Sequence, residues 1–127
     1  MKARILLLMD MFGQQVICDT YGDEGKNYVF TEYQGGFMQD KLEEYLKAHA
    51  ADFDCVAVMD TLCAISSREA ALEHFPGPRI LFRYYTDVVD NEDSYINIRL
   101  PGQPDLETLS DFERVVQEAV NQQEKQG

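Results

Sequence analysis

The stretch Cys55-Val-Ala-Val-Met-Asp-Thr-Leu62 decides how this chain is read. It is an almost unbroken apolar run of strand length. A strand apolar on both faces sits inside a parallel sheet, with helices covering it above and below. The flanking sequence supplies those helices. From Phe37 to Ala50, the residues Met38, Leu42, Tyr45, Leu46 and His49 recur at helical spacing, while Asp40, Lys41, Glu43, Glu44 and Lys47 fill the other face. Glu43 and Lys47 stand four apart in the order that supports a helix. Downstream, Ser66 and Glu69 form a capping-box pattern that opens a second helix, and Pro76-Gly-Pro78 closes it after Phe75.

Farther out, Tyr28-Val-Phe-Thr-Glu-Tyr33 is aromatic and β-branched and reads as a strand, broken by Gly35-Gly36. Arg79–Thr86 reads as another strand. The span 28–86 is therefore strand–helix–strand–helix–strand, and right-handed crossovers make its strands parallel. Arg4–Met11 is a further apolar strand, and Val16–Thr20, after the turn at Gly13-Gln14-Gln15, reads as its hairpin partner. Tyr95–Leu100 alternates as a half-exposed strand does, and the charged turn at 87–93 predicts an antiparallel return onto it. After the loop Pro101-Gly-Gln-Pro104, a final helix carries Leu106, Leu109, Phe112, Val116, Ala119 and Val120, followed by a polar, frayed tail over 121–127. The expected fold is α/β, a single domain over 1–127, with a mixed, mostly parallel sheet of five or six strands and about three helices.

Charge narrows the function. The 23 acidic residues outweigh 11 basic ones, for a net charge of −12. Such a field repels phosphate backbones, whose contacts supply most nucleic-acid affinity, so direct nucleic-acid binding is not expected. It attracts basic partners and speeds their encounter. The densest acidic cluster is Asp87, Asp90, Glu92 and Asp93, joined as a candidate contact surface by Asp19, Asp23 and Glu24. The cluster lacks the ligand spacing and central glycine of a calcium loop. The reading that follows is a small acidic protein that binds and regulates a basic protein surface, as an inhibitor or immunity-type protein does. Mimicry of nucleic-acid charge is a variant of it, and a homodimer is compatible with it. It calls for no cofactor.

The cysteines, Cys18, Cys55 and Cys63, are odd in number and without paired spacing, which fits a reduced, cytoplasmic protein. The early apolar run stops at Asp10, short of a secretory core, and no run approaches the ~20 residues that cross a bilayer. No membrane association is expected.

An enzymatic alternative rests on three apolar runs that each end on an aspartate: Asp10, Asp60 and Asp87. In open α/β sheets ligands bind beyond the carboxyl ends of the strands. Carboxylates gathered there suit Mg²⁺ or Mn²⁺ and would serve a divalent-metal phosphohydrolase or nuclease. Aspartate also ends strands simply because it favours turns. Other motifs fail. Gly22-Asp-Glu-Gly25-Lys26-Asn27 has the wrong glycine spacing for a phosphate loop and lacks Ser or Thr after the lysine. Cys63 lies just ahead of the Ser66 cap, and His49 and His74 have no metal-ligand partner at a useful sequence spacing. No nucleophile elbow or dinucleotide fingerprint is present.

Overall fold

A computed structural model describes residues 2–22, 27–60, 65–83, 95–99 and 114–121. Its elements are β1 (Ala3–Leu7), α1 (Met11–Tyr21), β2 (Tyr28–Glu32), α2 (Gln39–His49), a 3-10 turn (Ala50–Asp52), β3 (Cys55–Met59), α3 (Ile65–His74), β4 (Arg79–Arg83) and β5 (Ile96–Arg99). A further helix, α4, covers 114–121. The strands lie in the order β2-β1-β3-β4-β5. Every pairing is parallel. This is the doubly wound order of flavodoxin-type sheets.

The two apolar sides of the strands explain the layering. On one face Ile5, Leu7, Ala57, Ile80, Phe82 and Ile98 pack with Ile17 and Tyr21 of α1 and Val116 of α4. On the other, Leu6, Val56, Val58 and Leu81 pack with Leu42 and Leu46 of α2 and Ala70 and Ala71 of α3. β3 is buried along its whole length, as its apolar run predicts for a strand covered on both faces.

Several expectations are corrected. Among the described residues the sheet is parallel, not mixed, and there are four helices, not about three. Val16–Thr20 belongs to α1 and is not a strand, which removes the expected hairpin and one expected strand. A five-residue window hid the helical stripe. The buried positions of α1 are Gly13, Gln14, Ile17 and Tyr21, three and four apart, and two of them lie in the segment read as a turn. β5 runs parallel to β4, with Ile80 opposite Ile96 and Arg83 opposite Arg99. Residues 84–95 separate the two strands, long enough for the crossover that parallel pairing needs.

α3 begins at Ile65, so Ser66 lies within its first turn and does not precede it. The position before that turn, and Cys63, lie outside the described residues, as does the expected start of the last helix. Met38 flanks α2 at its N-cap and does not continue its buried stripe. Among the described residues, no helix is long and apolar enough to cross a membrane.

Candidate functional site

The chain leaves β1 through α1 toward β2 on one side, then returns past β1 through α2 to β3 on the other. The carboxyl ends of β1 and β3 therefore flank the point where the strand order reverses. Crevices open there because the helices leaving two adjacent strands go to opposite faces.

Two of the three strand-end aspartates fall at this point. β1 and β3 pair with Leu7 opposite Ala57, and the chain leaving each strand carries an aspartate, Asp10 after β1 and Asp60 after β3. Leu8 N–H donates to Ala57 O of β3 at 2.9 Å, while Asp60 N–H turns to the other neighbour and donates to Phe82 O of β4 at 3.0 Å. The two carboxyl groups have different surroundings. Asp10 is exposed, and its Oδ1 accepts the Gly13 N–H at 2.8 Å, capping α1. A cap of this kind supplies an acceptor to one of the helix's orphan first-turn donors. Asp60 is fully buried, with 0% exposure. Asp87 lies outside the described residues. The aspartate triad is thus represented here by one exposed capping carboxylate and one enclosed one.

Of the seven acidic residues expected to form a contact surface, Asp19 is exposed on α1. Asp23, Glu24, Asp87, Asp90, Glu92 and Asp93 lie outside the described residues.

A concavity lies against α1. A cleft of about 630 Å³ opens between α1 and the segment that follows β2. Met11, Gln15 and Cys18 line one side, and Glu32, Tyr33 and Phe37 the other. Gln14, itself buried, also lines it. The Gln14 side-chain amide donates to Tyr33 O at 2.7 Å and Met9 O at 2.9 Å, with a longer contact to Leu7 O at 3.5 Å. One side chain thereby ties together the carboxyl ends of β1 and β2, where the ladder stops and carbonyls need donors.

Aromatic packing shapes the far wall. Tyr33 meets Phe37 and Tyr45 edge-on, and its hydroxyl donates to Gly36 O. A Cβ at Gly35 would stand within 3 Å of the Tyr33 ring, so the turn and the ring hold each other in place. Burial, and then the neighbouring Tyr45, push the Tyr33 hydroxyl pKa above its ordinary value. The Cys18 thiol donates to Glu32 Oε1 at 3.8 Å.

Of the lining residues, Met11 and Phe37 are apolar and open to solvent, and Phe12 and Met38 are their exposed chain neighbours. Met11 is 83% exposed and Met38 72%, with Phe12 and Phe37 also exposed. All four lie at the starts of α1 and α2 or just ahead of them, on the carboxyl edge of the sheet. Single exposed apolar residues are ordinary, whereas these four share one edge of the sheet. Sequence reasoning missed Gln14, which lay in a segment read as a turn. It also placed Met38 in the buried stripe of a helix. The doublets Met11-Phe12 and Phe37-Met38 are the signal it could have used, since each places two large apolar side chains side by side at the start of a helix. The strand tyrosines Tyr28 and Tyr33, and Tyr95 just ahead of β5, are buried.

No family model, curated protein or solved structure matches the chain.

Proposed function

We propose that this chain is a small acidic binding protein of the cytoplasm that regulates or inhibits a partner by engaging a basic protein surface. The observation that carries the reading is the cleft between α1 and the segment after β2, with its exposed apolar lining residues Met11 and Phe37. Interface cores are enriched in methionine and aromatic side chains, and Met11, Phe12, Phe37 and Met38 supply both kinds at one edge. Glu32 inside the cleft and the net charge of −12 select a partner that is basic around an apolar contact. Exposed apolar side chains favour a protein surface with apolar content over mimicry of nucleic-acid charge alone.

The test is affinity capture from the native host with the wild-type chain and with a Met11→Asp/Phe37→Asp variant, followed by mass spectrometry. A stoichiometric basic partner should be held by the wild type, released by salt and lost from the variant. A partner held equally by both chains, or one insensitive to salt, would sink this choice of surface.

A second reading is kept by Asp10 and Asp60, which follow the two strands that flank the strand-order reversal. In it, these carboxylates and Asp87 bind Mg²⁺ or Mn²⁺ for phosphoryl hydrolysis. Calorimetric titration with each cation checks it: binding abolished by Asp60→Asn supports it, and no heat in the wild type ends it.

A further inference from the structure

α2 and α3 lie side by side on one face of the sheet, where Leu42 and Leu46 meet Ala70 and Ala71. The buried positions of α3 are the small residues Ser67, Ala70 and Ala71, which let the two helices approach closely. That approach brings together three side chains that the sequence keeps apart. Glu43 projects from α2, and Glu73 and His74 end α3. The His74 side chain is 15% exposed, and its Nε2 is enclosed with no hydrogen-bond partner closer than 3.5 Å. This nitrogen lies 3.6 Å from Glu43 Oε1 and 3.9 Å from Glu73 Oε2. One ligand atom from each of the three residues lies within 4.8 Å of the other two.

We propose that Glu43, Glu73 and His74 form a zinc-class divalent metal site that clamps α2 to α3. A histidine that only paired with a carboxylate would close to a hydrogen bond of roughly 2.7–2.9 Å. His74 Nε2 instead stands between two carboxylates, at 3.6 Å from Glu43 Oε1 and 3.9 Å from Glu73 Oε2. Ligands around a tetrahedral zinc, with bonds of about 2.0–2.1 Å, lie roughly 3.3–3.4 Å from one another. The two distances from Nε2 exceed that by only a few tenths of an ångström, within reach of small side-chain rotations. An imidazole with two carboxylates is a donor set for Zn²⁺, Co²⁺ or Ni²⁺, whereas Mg²⁺ and Ca²⁺ prefer oxygen alone. Three protein ligands leave a fourth position for water. Gln39 Nε2 donates to Glu43 Oε1 at 3.2 Å, the kind of outer contact that orients a ligating carboxylate. The site lies between α2 and α3, apart from the cleft against α1, and stands independently of the proposed partner surface.

The test uses the full chain, stripped with a chelator and then titrated with Zn²⁺ against a chromophoric competitor and with Co²⁺ by visible absorption. One equivalent should bind. The cobalt complex should show tetrahedral d–d bands without thiolate charge transfer. Glu73→Gln alters a side chain that is 67% exposed, so it leaves the fold intact; it should weaken binding by roughly tenfold or more, and Gln39→Ala by about 10–100-fold. His74→Ala should abolish binding while circular dichroism remains native. Zinc should raise the melting temperature of the wild type but not of His74→Ala. Failure to bind one equivalent, binding unchanged by Glu73→Gln and His74→Ala, or loss of binding in a Cys18→Ser/Cys63→Ser chain would overturn the assignment.

Discussion

The Gln14 side-chain amide donates to the main-chain oxygen of Tyr33 at 2.7 Å, linking the first helix to the end of the edge strand β2. The same amide reaches Met9 O at 2.9 Å, so the wall of the cleft depends on one buried polar group. Gln14→Leu should cost about 1–3 kcal/mol, because carbonyls closed off from water lose their donor. Urea unfolding measures the loss. Partner affinity should fall with it, since Tyr33 and Phe37 on the far wall are positioned through this link.

Asp10 has two separable roles, cap and carboxylate. Asp10→Ala should lower stability by about 0.5–2 kcal/mol through loss of the Gly13 N–H acceptor. Asp10→Ser should restore most of that, since serine is an equally good cap. If a divalent cation binds at the strand ends, the serine chain will be as stable as the wild type yet bind the cation more weakly. Denaturant curves and calorimetry on the same two variants distinguish the roles.

Arg4 and Asp54 fasten the start of β1 to the entry of β3. Asp54 Oδ2 accepts from Arg4 N–H at 2.8 Å and from its Nε at 3.3 Å, and Asp54 N–H donates to Arg4 O at 2.8 Å. Partial burial alone would raise the Asp54 pKa, but the side-chain and backbone hydrogen bonds from Arg4 outweigh it and hold the pKa below its ordinary value of 3.8. A carboxylate depressed in the folded state contributes stability above its unfolded pKa and loses it as pH falls through the folded one. The stability difference between wild type and Asp54→Asn should therefore be constant from pH 7 down to about 5 and shrink as the solution is acidified below 3.8. Urea melts across that range check the sign; a difference that grows on acidification contradicts it.

The cysteines should differ in reactivity. Cys55 is enclosed in β3, and burial, followed by the charge of Asp54, pushes its thiol pKa up to about 12. A thiol needs its thiolate to react. In the native protein at pH 8, Cys55 should stay unlabelled by a disulfide reagent until the chain unfolds, while the half-buried Cys18 at the cleft reacts. Mass-spectrometric mapping of the labelled sites reads this directly.

Legibility in the sequence followed the range of the forces involved. The unbroken apolar run at Cys55–Met59, the stripe of Leu42 and Leu46, and the stop at Pro76-Gly-Pro78 are local signals, and each element they predicted is present. α1 was misread because its stripe begins with a glycine and a glutamine, which carry no apolar mark. Gly13 is used for close approach: a Cβ there would stand 3.1 Å from Met9 Sδ and 3.3 Å from a Met59 side-chain carbon. Gln14 is used for its amide. Neither role has a periodic signature. In the candidate site, Asp10 and Asp60 were legible as the ends of apolar runs, but the division between an exposed cap and an enclosed carboxylate was not.

The sequence by itself determined the acidity, the alternation of strands with helices across 28–86 and the identity of the central strand, because side-chain periodicity and burial act over a few residues. Tertiary structure alone decided the strand order, the parallel course of β5, the enclosure of Asp60 against the exposure of Asp10, and the meeting of Glu43 with Glu73 and His74. Those relationships join residues far apart along the chain. They arise when two sheet faces are buried at once by helices on opposite sides, a condition no local stretch of residues contains.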